Sequence, residues 1–269
     1  MSATGAQRGV VLIIVLWVLA LLMLLLAAFS TSVRVDSQLA AEVSQRVRAR
    51  AAADAALAYL AGMQRLGGDT WGSLAGQVLV LPLDDERVRF RLLPEEAYLS
   101  LTGAPPELLE PVIAALAGPQ ADVALAVSSL MARRLPKQGG QQVEKLRSVG
   151  ELLQLPGFDR ALVERLSPLV TVDTDQSGVF LPLAPQRLGL LLLAGDRRLY
   201  DAIREGGGDA LGVPPGVLVS PGGRVFRLQV EVGEGRDVRK VEVTIVFGGG
   251  DADYQIVRRN EYNPAFYLD

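Results

Sequence analysis

Two acidic clusters, Asp84-Asp85-Glu86 and Glu95-Glu96, are the groups of this chain most suited to acid–base chemistry. Hydrolysis by paired carboxylates needs two such groups a few ångströms apart. A third segment, Asp173-Thr-Asp-Gln-Ser-Gly178, places Asp173 and Asp175 in an oxygen-rich turn of the kind calcium takes, without the glutamate that closes an EF-hand loop. The chain has no His and no Cys. That excludes Ser-His-Asp triads, thiol nucleophiles, disulfides and zinc motifs such as H-E-x-x-H. Gly206-Gly-Gly208 and Gly248-Gly-Gly250 lack the Lys-Ser/Thr ending and the strand–turn–helix setting of a phosphate loop. Acidic clusters in loops are ordinarily solvated. The residues read as a non-enzyme with no required cofactor, and calcium stays open at Asp173 and Asp175.

One further motif could bind a polymer. Leu155-Pro-Gly-Phe158 sits between two short apolar segments, and Ser148-Val-Gly-Glu151 reads as a capping box for the helix before it. Asp159 is placed to cap the helix after it. Two short helices around such a turn resemble a helix-hairpin-helix unit, which in nucleic-acid proteins offers amides and basic residues to phosphate. Arg160 and Arg165 are offset here by Asp159 and Glu164, and the whole chain carries 27 Lys and Arg against 30 Asp and Glu. That balance favours packing over DNA. A membrane-anchored DNA-binding protein is the alternative reading, and a membrane-anchored hydrolase a more distant one.

The elements that carry these residues begin with an apolar run. Val10 to Phe29 holds no charge, Gly or Pro, and as a helix it would be about 30 Å long, the thickness of a bilayer core. Arg8 and the terminal amine before it favour a cytoplasmic N-terminus. A secretory signal is the competing reading, but its apolar part is ordinarily shorter. Good helix formers continue to Ala61, and Gly62 and Gly67-Gly68 are the first stops. Leu39, Val43, Val47, Ala51, Ala55 and Ala58 recur at spacings of four and three, which predicts the stripe that packs on a soluble domain.

Strands follow. Val78 to Leu81 ends at Pro82 as an edge would, Glu86 to Leu92 alternates strictly, and 226–232 and 241–247 form a hairpin with one wet face. A last strand lies near Tyr254 to Val257. Between them the spacing predicts helices from about Thr102 to Ala117, from Ala121 to Leu135, after Ser148, and from Asp159 to Pro168. Tyr98 to Leu109 and Val179 to Leu188 echo one another, each passing through Ala-Pro into a helix. The fold class is α+β: a long N-terminal helix on an antiparallel sheet, with a large all-α insertion.

Arg8-Gly9 followed by Val10-Val-Leu-Ile-Ile14 resembles the class III signal of type IV pilins and type II secretion pseudopilins. The chain from end to end resembles the general secretion pathway protein K family of minor pseudopilins, most specifically over Ser148 to Asp159 and Leu166-Ser-Pro-Leu-Val-Thr171. It departs where the family has N-x-N-T-A-P segments, carrying Leu-Ser-Leu-Thr-Gly-Ala-Pro and Leu-Pro-Leu-Ala-Pro instead. The resemblance implies a leader over 1–9, cut by a prepilin peptidase between Gly9 and Val10. It further implies a membrane part over 10–31, a soluble helix over 32–66, a pilin-like α/β domain from 70–96 and 173–269, and a helical insertion over 97–172. Most pilins have Glu at the fifth mature position; Ile14 stands there, as in this subtype, which implies a place at the pseudopilus tip. Implied partners are other minor pseudopilins, the major pseudopilin, the peptidase and inner-membrane lipid, with no nucleic acid. The implied location is the bacterial inner membrane, single-pass, with the bulk in the periplasm. Some members, this subtype included, are known as calcium binders.

Overall fold

Helix α1 runs from Ala6 to Leu66 in this computed structural model. The structure describes residues 6–66, 74–83, 86–135, 145–206, 213, 216–220, 222, 224–233, 238–248 and 254–260, with the side chains of 6–12, 27–36, 64 and 66 outside the description. The helix passes Gly62 without stopping; Gly67 and Gly68 lie outside the described residues. Residues 1–48 and 49–269 are separate compact units.

In the second unit, α1 contributes Ala49, Ala52, Ala53, Ala56, Leu57 and Leu60 to a core, each at most 4% exposed. The stripe read from the sequence is a different face. Ala51 and Ala58 are exposed and Ala55 is half-buried; in the first unit Leu39, Val43 and Val47 are exposed. Alanines line the true contact because a methyl group lets the helix axis come close to a sheet without a void.

That sheet has β1 (Val78–Leu83), β2 (Glu86–Pro94), β5 (Val225–Val232), β6 (Arg239–Phe247) and β7 (Tyr254–Asn260) in the order β1-β2-β5-β6-β7, all antiparallel. Val88, Phe90 and Leu92 face α1 beside Leu228, Val230, Val232, Val241, Val243, Ile245 and Phe247, as the period-two alternation predicts. Tyr59 meets Phe90 edge to face, with ring centroids 6.0 Å apart.

Between β2 and β5 the chain forms a second core. Its elements are β3 (Leu99–Ser100), α2 (Pro106–Leu116), α3 (Val123–Arg134), α4 (Arg160–Leu166), β4 (Val170–Thr171), α5 (Gln186–Leu192) and α6 (Arg197–Arg204). Short 3-10 turns cover Glu95–Ala97, Val149–Gln154 and Leu181–Leu183. The segment is not all-α: β3 and β4 pair in parallel, Leu99 with Val170 and Ser100 with Thr171. Its core also runs on beyond 172, through Val179, Leu188, Leu192, Tyr200 and Ile203 to Val217. The reason is the second Ala-Pro segment. Pro105 and Pro185 both occupy a helix N-cap, and Ala104 and Ala184 are both buried. The second copy therefore starts a helix that buries its leucines with α2 instead of returning to the sheet.

Candidate functional site

The N-terminal segment offers surface, not chemistry. Gly9 and Val10 fall in the first turns of α1. Ile14 is 57% exposed, and every large apolar side chain from Ile13 to Leu26 is exposed. Among the described residues no helix is long and apolar enough to cross a membrane. The remainder of the Val10–Phe29 run lies outside the described side chains.

The Leu155-Pro-Gly-Phe158 turn is used for packing. Gly157 has φ +87°, and a Cβ placed on it would lie 2.6 Å from the backbone nitrogen of Ala126 in α3. The Ser129 hydroxyl donates to the Pro156 carbonyl at 2.8 Å, and Phe158 is buried. Asp159 caps α4 by accepting from the Leu162 N–H at 2.6 Å. Arg160 pairs with Glu164 at 2.8 Å. The capping box is only half there. The Ser148 side chain makes no cap bond, and the Glu151 carboxylate accepts from the Arg147 N–H at 3.3 Å, one residue early. The segment from Val149 is accordingly a 3-10 turn and not an α-helix. Gly157→Val combines a left-handed backbone with a steric clash. It is expected to lower stability by about 2–4 kcal/mol, measured by urea unfolding; a loss of under about 1 kcal/mol would mean the turn does not hold α3.

The opposite face of the sheet carries the densest polar arrangement. The sequence predicts it wet, yet Arg227, Gln229, Glu231 and Thr244 are at most 8% exposed. The segment after β2 covers it. Glu95, fully buried, accepts two bonds from Arg227 Nε and Nη2, both at 2.9 Å. The Arg227 guanidinium also stacks 3.7 Å from the Tyr98 ring centroid and lies 3.6 Å from Glu242. Gln229 donates to the Tyr98 hydroxyl at 3.0 Å and accepts from Arg91 at 3.0 Å. Burial alone pulls the Arg227 guanidinium down, but Glu95 and then Glu242 more than reverse this, so it sits well above its ordinary value. Burial pushes the Tyr98 hydroxyl well up, against the pull of Arg227. A cavity of about 300 Å³ opens beside this seam, lined by Arg227, Glu242, Thr244 and Arg258 together with Ser167 and Asn260. Glu95 is thus committed to a two-pronged ion pair, and Glu96 accepts from Gln176 at 3.4 Å. Asp84 and Asp85 lie outside the described residues. Arg227, Tyr98 and Arg258 are the residues that sequence reasoning misses, since strand alternation marks Arg227 as polar but does not say what covers it.

Asp173 and Asp175 each face a cation of the chain. Arg258 Nη2 reaches both oxygens of Asp173, at 2.6 and 2.7 Å, and Lys145 Nζ lies 2.5 Å from Asp175. Burial holds the Asp173 carboxyl above its ordinary 3.8 in spite of Arg258, while the Lys145 bond holds Asp175 below it. The folded chain therefore grips the Asp173 proton more tightly than the unfolded chain does. Stability from this group is full below pH 3.8 and falls as pH rises through the raised value; Asp175 works in the opposite sense, its contribution lost as pH falls below 3.8. Asp173→Asn should remove the first slope alone, so unfolding midpoints across the carboxylate range should rise more steeply with pH than in the parent. An unchanged or shallower profile would contradict this assignment.

No protein-family model matches the chain, and no curated protein matches it. Among solved structures it is similar to a chain in the crystal structure of the GspK-GspI-GspJ complex from the enterotoxigenic Escherichia coli type 2 secretion system. Identity is 15%, coverage is 80% of this chain and 98% of that chain, and the TM-score is 0.48.

Proposed function

We propose that this chain is a non-enzymatic minor pseudopilin of a type II protein secretion system, taking part in pseudopilus initiation and the export of folded proteins. The observation that carries the reading is α1 itself. One 61-residue helix combines an exposed apolar stretch from Ile13 to Leu26 with an alanine-lined face buried on an antiparallel sheet. The Arg8-Gly9-Val10 junction and the Ser148–Asp159 and Leu166–Thr171 segments support the same family. On this reading a prepilin peptidase cuts after Gly9, the apolar stretch anchors the protein in the inner membrane, and the rest lies in the periplasm. Its partners are other minor pseudopilins, with the major pseudopilin below.

Ile14 argues for the tip. An unpaired carboxylate in hydrocarbon is costly, so a subunit with nothing above it does better with an apolar residue there. Its own terminal amine remains free to attract a carboxylate of the next subunit. Co-expression with a prepilin peptidase, followed by mass mapping of the N-terminus, tests the reading. Val10 is expected as the new first residue. An intact terminus in membranes holding active peptidase would overturn it, and many copies along purified pseudopili would overturn the tip position alone.

A further inference from the structure

A calcium ion takes about six to eight oxygen ligands, several from carboxylates, and the pseudopilin resemblance makes such a site an expectation for Asp173 and Asp175. The loop that carries them does meet other oxygens. A Cβ placed on Gly103 would lie 2.0 Å from the carbonyl oxygen of Asp175, so the 100–104 turn and the 173–176 loop are in direct backbone contact. Several oxygens at this junction are served by donors of the chain. The Thr174 carbonyl accepts from Thr102 Oγ1 at 2.6 Å and from Ser100 Oγ. Leu101 and Ala104 carbonyls accept from Arg134 Nε and Nη1 at 2.9 and 2.5 Å. Lys145 meets Asp175, and Arg258 meets both oxygens of Asp173.

The donor set does not fit a divalent ion. Among the described residues no group of three or more His, Cys, Asp or Glu could hold a metal. Asp175 feels the charges of Lys145 and Arg134, and Asp173 those of Arg258, Glu95 and Arg227. An incoming dication would have to displace Lys145 and Arg258 from their partners and would meet the positive charge of Arg134 as well.

We infer that side-chain cations have taken the place of a metal in this chain. Arg134 holds the 100–104 turn to α3, Lys145 and Arg258 neutralise Asp175 and Asp173 of the 173–175 loop, and Ser100 and Thr102 join turn to loop through the Thr174 carbonyl, so this junction does not depend on calcium. The residue types suit the task. The planar fork of Arg134 serves two carbonyls of one turn from two separate nitrogens, and Lys145 is a point charge on a flexible stem that reaches a single carboxylate. Ser100 Oγ bonds the same turn, accepting from the Thr102 and Gly103 N–H groups at 3.2 and 2.9 Å. The departure from N-x-N-T-A-P thus leaves the turn bonded.

The test is thermal unfolding of the full-length chain in detergent, followed by circular dichroism, in EDTA and in millimolar calcium chloride, with a calorimetric titration of calcium chloride alongside. Equal midpoints and no saturable heat are expected. A midpoint raised by several degrees in calcium, or saturable binding, would overturn the inference. Arg134→Gln strips a charged donor from two carbonyls and should lower the midpoint by about 2–8 °C in EDTA and calcium alike; an unchanged midpoint would also overturn it. If that variant does not fold, the comparison on the parent chain still decides. The mapping of the N-terminus is an independent matter, so failure of this inference and failure of the pseudopilin reading are distinguishable.

Discussion

Glu95→Ala should destabilise the protein by about 3–5 kcal/mol, because it leaves the Arg227 guanidinium charged and buried without its main partner. The side chains of Arg227 and Glu95 are 6% and 0% exposed, and the pair is bidentate, so solvent screening hardly discounts the loss. Two groups soften it. Glu242 lies 3.6 Å from Arg227 and the Tyr98 ring lies beneath it, which moves the expectation toward the lower end of that range. The pair need not be worth this much in absolute terms. Replacing both members at once, Glu95→Leu with Arg227→Met, removes two desolvation costs together and should recover most of the loss. Urea unfolding of Glu95→Leu, Arg227→Met and the double variant closes the cycle, with Glu95→Ala measured beside them. A single-variant loss below about 1 kcal/mol would show that water reaches the seam. A double variant no better than Glu95→Ala would show that the ion pair itself, and not the unpaired charge, carries the effect.

How much of this was legible depends on which physical signal each residue leaves in the sequence. Strand register is the strongest case. Val88, Phe90 and Leu92 alternate with arginines, and they lie on the α1 face, because a one-residue slip would turn every apolar side chain outward. The same alternation could not reveal that Arg227 and Gln229 are buried, since their cover comes from Glu95 and Tyr98 across about 130 residues of chain. The buried face of α1 escapes hydropathy for a related reason. Leu39, Val43 and Val47 carry a loud apolar signal and are exposed, whereas Ala49, Ala52, Ala53 and Ala56 carry a faint one and are buried. Volume matching at a helix–sheet contact favours small residues, and hydropathy does not see volume. The Leu155-Pro-Gly-Phe158 turn was readable because Pro and Gly mark turns locally. The helix before it was not, since one Ser and one Glu at capping spacing say nothing about the geometry the segment adopts. For the Asp173 and Asp175 pair, the acidic residues were visible and their partners were not: Arg258 is 85 residues from Asp173, and Lys145 is 30 from Asp175.

Gly9→Val should abolish maturation if the chain is processed as proposed. A peptidase needs the scissile segment extended, while Gly9 and Val10 lie inside the helix that starts at Ala6, so the first turns must unwind before cleavage. Glycine makes that unwinding easy. It costs a helix interior about 1 kcal/mol relative to alanine, and its lack of a Cβ lets the extended backbone approach the protease closely. Valine acts against both steps. It removes the weak point in the helix and adds a branched Cβ at the position of closest approach. Misplacement by about 1 Å can cost a reaction about a hundredfold, so no processed product is expected on the timescale that matures the parent chain. Gly9→Ala separates the two effects, since it strengthens the helix more than valine does but adds only one methyl group. Partial processing of Gly9→Ala with none of Gly9→Val would place the main constraint in the protease cleft. Equal and complete loss in both would place it in helix unwinding. The readout is the ratio of cut to uncut mass after co-expression with the peptidase, and normal processing of Gly9→Val would remove the junction from the argument for a pseudopilin.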